Sequence, residues 1–126
     1  MTALFAAAYV LVTAAVVGFQ LALALGAPWG AYAMGGAYPG RMPRPMRIAA
    51  VVQAVVLTGL AMVVVSAAGM MMPELVSQLP WLAWIPVVVS AIAVALNAST
   101  RSLGERRLWL PATLVLLASS LAVALR

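Results

Sequence analysis

The chain has 126 residues, of which 67% are hydrophobic and 7% charged, against roughly 45–50% and 25% in an ordinary soluble domain. A chain this short cannot hide so much apolar surface from water in a single core, so lipid is the expected solvent. Its charges are seven arginines and two glutamates, net +5, placed between the apolar runs and at the C-terminus, which is the pattern of membrane topology and not of nucleic-acid binding.

Cysteine and histidine are absent, as is aspartate, which removes disulfides, thiolate or imidazole metal sites and thiol nucleophiles. No metal or cofactor is expected. The all-arginine basic set, with abundant alanine and valine, fits a GC-rich bacterial genome.

The first apolar run covers residues 3–25. It is too long for the core of a signal peptide and lacks a basic start, so it is expected to be retained as a membrane span. Small residues recur along it at Ala6, Ala14, Gly18, Ala22 and Gly26, a stripe that lets helix backbones approach closely in lipid. Gln20 is the polar exception near its end.

The connection 26–47 reads GAPWGAYAMGGAYPGRMPRPMR. At about 20 residues it far exceeds the 2–8 typical between packed helices. Glycine, proline and aromatic residues dominate it, as in an ordered but irregular loop. One reading is an interfacial connector with Trp29, Tyr32 and Tyr38 at headgroup level. The other is a lid or re-entrant segment over a cavity, whose backbone protein must satisfy.

The second run, 48–72, carries Ala50, Ala54, Thr58 and Ser66 as a second small-residue face, with Gln53 near its start. A short connection with Pro73, Glu74 and Gln78 follows, in which Glu74 suits a helix start. The third run, 79–97, has Pro80 for its first turn and Pro86 further in, where a lost hydrogen bond predicts a bend. The connection 98–107 holds Arg101, Glu105, Arg106 and Arg107. Arg101 and Glu105, four apart, suit a loop-fixing ion pair. The fourth run, 108–125, places Pro111 in its first turn, where proline is tolerated.

Each run is close to the ~20 residues that a helix needs to cross the hydrocarbon layer. The predicted fold is all-α: one domain, a bundle of four antiparallel transmembrane helices with a long first loop. Threading places connections one and three on one side with Arg41, Arg44, Arg47, Arg101, Arg106 and Arg107. The positive-inside rule then puts both in the cytoplasm and both termini outside.

Gln20 and Gln53 each fall about 7–8 Å inside that same face. Asn97 and Thr113 lie near it, which makes a polar layer under the arginine-bearing loops. Two readings follow: interhelical hydrogen-bonding glue, with Gln20 paired to Gln53, or the floor of a ligand pocket rimmed by arginine, Trp29 and Tyr32.

The spans contain no ionisable side chain of the kind proton-coupled transport uses. The small multidrug-resistance exporters share this size and helix count, but the acidic residue that their coupling needs in the first helix is missing here. The GAPWG-x4-GG-x2-PG first loop, together with NASTRSLGERRLWLPAT before and into the fourth run, resembles a group of small bacterial four-helix integral membrane proteins of unknown activity. The resemblance implies a cytoplasmic-membrane location and supplies no site residues.

The expected function is therefore non-enzymatic: a subunit or accessory protein of a membrane assembly, or of a homo-oligomer, with the bilayer as its partner. The alternative is a binding or passive-transport protein for a lipid or small apolar molecule, with 26–47 as lid. An enzyme would require Glu105 or Glu74 to lie in a cleft beside other polar groups.

Overall fold

The computed structural model describes residues 1–126 and is all-helical, with no strand. Helix α1 covers Thr2–Ala24 and α2 covers Arg44–Ala67. The five-residue α3, Glu74–Gln78, precedes a 3-10 turn, Pro80–Ala83, that runs into α4, Trp84–Ser99. Helix α5 covers Leu103–Leu125. Four of these segments, with Pro80–Ser99 taken as one, are long and apolar enough to cross a membrane, the signature of a multi-pass membrane protein. Only 22 of the 126 residues are buried. Leu4, Leu11, Val55 and Leu96, each about two-thirds exposed, point outward, an arrangement stable only against hydrocarbon.

Several element boundaries differ from the sequence reading, each for a local reason. Helix α2 begins a turn early because Pro43 caps it and Pro45 occupies its first turn, where a missing N–H is harmless. It also stops at Ala67, well short of residue 72. Gly69 takes a left-handed φ of 76°, and the Met70 and Gly69 N–H groups donate to the Val65 and Ser66 carbonyls, the double closure that ends a helix on glycine. The apolar residues 68–72 are thus a turn, held by Ser66, whose Oγ donates to the Met72 carbonyl at 2.7 Å and accepts from Val76 N–H at 3.3 Å.

Pro86 does not interrupt a helix interior. It lies in the first turn of α4, and the change of geometry falls just before it, at the junction of the 3-10 turn and α4. Pro111, by contrast, is interior. Ser102 caps α5 by accepting the Glu105 N–H at 3.1 Å, so α5 starts five residues before the predicted run and the Arg107 carbonyl loses its usual partner at Pro111.

The bundle is antiparallel. Ala6 and Tyr9 of α1 share one core cluster with Val64 and Ala67 at the end of α2 and with Leu116 and Val123 of α5. At the other end Leu23 and Ala50 pack with Ala33 and Met42 of the first loop. Helix α1 contacts both α2 and α5, and α5 contacts α4, but α2 and α4 barely meet. The small-residue faces divide accordingly: Ala6, Ala50, Ala54 and Ser66 are buried, whereas Ala14, Gly18 and Thr58 face outward. Gly69→Ala is expected to destabilise the protein by roughly 1–2 kcal/mol through its left-handed φ. Gly59→Ala, within α2 and with open space around it, should cause no loss in the same thermal unfolding assay in detergent.

Candidate functional site

The gap between α2 and α4 continues inward as a cavity of about 770 Å³, roofed by the first loop. Phe19 and Gln20 come from α1, and Gln53 and Val56 from α2. Ala93, Leu96 and Asn97 come from α4, and Glu105, Trp109, Thr113 and Leu116 from α5. Leu116 belongs also to the buried cluster at the far end and closes the floor. Val56, Ile92 and Leu96 are more than half exposed and mark the side that opens toward lipid.

The roof is fixed by α5. Ser102 Oγ donates to the Ala31 carbonyl at 2.6 Å, Glu105 Oε2 accepts the Gly35 N–H at 3.1 Å, and Trp109 Nε1 donates to the Tyr32 carbonyl at 3.0 Å. Positions 102, 105 and 109 recur at helical spacing, so the three side chains share one face of α5. Gly104 lies beside them, where a Cβ would sit 2.6 Å from the Tyr32 ring. Only glycine lets the tyrosine lie against the helix. Phe19 joins loop to bundle: Trp29 stacks on it at 6.2 Å and Trp109 meets it edge-on at 4.8 Å.

Two arginines at this face serve the fold. Arg47 Nε donates to the Ala24 carbonyl at 2.8 Å and Arg106 Nη2 to the Thr100 carbonyl at 2.7 Å. Each guanidinium thus meets the negative end of the preceding helix, α1 or α4. Arg101 is exposed on the cavity rim and has no such role.

Of the sequence candidates, Gln20, Tyr32, Gln53, Asn97 and Thr113 all line the cavity, and Trp29 stands behind its wall on Phe19. Gln20 and Gln53 do not pair. Both face the cavity, because the outward splay of α2 from α4 leaves room between them and the neighbouring helices. Asn97 Nδ2 donates to the Ala93 carbonyl and Thr113 Oγ1 to the Trp109 carbonyl within their own helices.

The expected Arg101–Glu105 ion pair is replaced. Glu105 falls on the inner face of α5, 8% exposed, and its carboxylate holds the first-loop backbone at Gly35 instead. Glu105 therefore does lie in a cleft, while Glu74 opens α3 as an exposed residue away from it. Trp109 and the bond from Ser102 to the first loop are contacts that hydropathy does not reveal. The Ser102-Leu103-Gly104-Glu105 spacing marks the start of α5, where Ser102 accepts the Glu105 N–H, but carries no sign of the contacts to the first loop.

Glu105 is the single carboxylate on the cavity wall, and the chain contains no thiol or imidazole. The site offers apolar surface, amide and hydroxyl hydrogen bonds, and one free cation. No family model matches the chain, and no curated protein or solved structure is similar to it. Gly104→Val should push the Tyr32 ring off α5. Amide exchange at 31–36 is expected to accelerate about tenfold, the equivalent of ~1.4 kcal/mol of local stability, with the four spans still protected.

Proposed function

We propose that this is a non-enzymatic protein of a bacterial cytoplasmic membrane that holds a lipid or other elongated apolar molecule between α2 and α4, with residues 26–47 as the lid. The observation that carries the reading is the cavity itself. At about 770 Å³ it falls within the ~300–1,000 Å³ of small-molecule sites, and it joins an apolar lining to a few convergent polar groups. Its open side lies between two apolar helices that hardly touch, so an acyl chain can slide in from the bilayer without crossing water.

In this reading Glu105 is a tie for the lid, since its Oε2 accepts the Gly35 N–H. The arginine-bearing loops face the cytoplasm, which sets the polar end of the groove at that leaflet. The outward small residues Ala14, Gly18 and Thr58 leave a face against which another membrane helix fits, so the binding reading is compatible with membership of a larger assembly.

Ala93→Trp fills the groove from α4. Protein taken from native membrane in mild detergent should carry bound lipid by native mass spectrometry, and the variant should lose it about tenfold, equivalent to ~1.4 kcal/mol of contacts. Equal lipid in both, with helicity unchanged, would sink the reading. For sidedness, a reporter active only in the cytoplasm should be silent when fused after Arg126 and active when inserted in the 98–107 connection.

A further inference from the structure

We propose that the polar end of this groove selects a lipid with an anionic phosphate headgroup, and that Arg101 is the residue that makes the selection. The inference rests on the lipid-binding reading above and adds the chemistry of the head to it.

The argument begins with which polar groups are already engaged. Arg47 and Arg106 are bound to helix-end carbonyls, and the Asn97 amide donates to Ala93. Glu105, the one anionic group on the wall, is buried and accepts from Gly35. It also stands in the first turn of α5, where the helix dipole offsets its charge.

On a lining that is otherwise mostly apolar, several donors remain. Arg101 carries five N–H groups, and Gln20 and Gln53 carry an NH2 each. Thr100 Oγ1 accepts from Ser102 N–H at 3.2 Å, which leaves its own proton to donate. Two of these donors lie on α1 and α2 and two at the end of α4, so they approach the mouth of the groove from both of its sides.

With Glu105 Oε2 bonded to the Gly35 N–H, the donors and the one cation on the lining outnumber the single carboxylate oxygen left open, a balance that favours an acceptor-rich anion at the Arg101 side of the mouth. A phosphate diester supplies the oxygens for it. Arginine suits the task because its planar fork binds phosphate through two parallel hydrogen bonds. The depth fits as well. Arg101 lies just beyond α4, while Gln20 is four residues from the end of α1, about 6 Å inside. A headgroup held by Arg101 places its glycerol region beside the amides and its chain along Val56, Ile92 and Leu96.

The test uses tryptophan quenching by acyl-chain-brominated lipids in vesicles. Trp81 in the 3-10 turn and Trp84 at the start of α4, both exposed, are changed to Phe, so that emission comes from Trp109 and Trp29 at the groove end. Brominated phosphatidylglycerol should quench at a mole fraction about fivefold lower than brominated phosphatidylcholine or phosphatidylethanolamine, the effect of one arginine on an anionic lipid. Arg101→Gln should abolish that preference while leaving quenching by all three lipids. Arg107→Gln, an equal loss of charge outside the cavity lining, should retain it.

Equal quenching by the three lipids in the parent protein would overturn the headgroup assignment and leave lipid binding standing. Loss of the preference in Arg107→Gln to the same degree would also overturn it, since surface charge alone would then be the cause. Quenching by every lipid no greater than in an Ala93→Phe protein, which fills the groove without adding a tryptophan fluorophore, would instead remove the binding reading itself.

Discussion

An irregular backbone at the edge of an apolar bundle is tolerated only where protein satisfies its polar groups, and the first loop meets that condition through α5. Ser102, Glu105 and Trp109, on one face of that helix, engage the backbone at Ala31, Gly35 and Tyr32. The same contacts hold Tyr32, Ala33, Met34 and Gly35 over the space between α2 and α4. Without that attachment the gap would be a cleft in the bundle surface. With it, the gap has a roof, an open side toward lipid and a polar end.

The arginines of this face divide into two kinds. Arg47 and Arg106 are drawn into the fold, where the guanidinium groups neutralise the carbonyl ends of α1 and α4. A topology signal and a helix-closing device thus reside in the same residues. Arg101 stays at the cavity rim, the one arginine on its lining.

The interior on the opposite side differs in kind. Tyr9, Ser90, Ser119 and Ser120 are each no more than 2% exposed, and the two serines of α5 donate back to carbonyls of their own helix. Helices α1, α2 and α5 close tightly there around Val64 and Leu116. The bundle is therefore packed at one end and hollow at the other. The hollow end is the one that carries the charged loops.

Much of this was legible in the sequence. Four apolar runs determined four helices, because no other backbone arrangement of this length satisfies itself in hydrocarbon. The gathering of Gln20, Gln53, Asn97 and Thr113 beneath the arginine-bearing loops followed from helix rise and connection order alone. Four details were misjudged where the deciding feature was local but not hydropathic: the left-handed Gly69 that ends α2 early, the Ser102 cap that draws Pro111 into a helix interior, the 3-10 turn ahead of Pro86, and the diversion of Glu105 from Arg101 to Gly35.

The order of helices around the bundle was legible nowhere. In lipid, an apolar side chain is equally at home against another helix or an acyl chain, so hydropathy does not distinguish Ala54, which is buried, from Val55, which is not. The sequence by itself determined that the chain crosses a membrane and at which end its polar groups collect. Only the tertiary structure decided that α2 and α4 stand apart, that the first loop bridges over them, and that the polar groups face a cavity instead of one another.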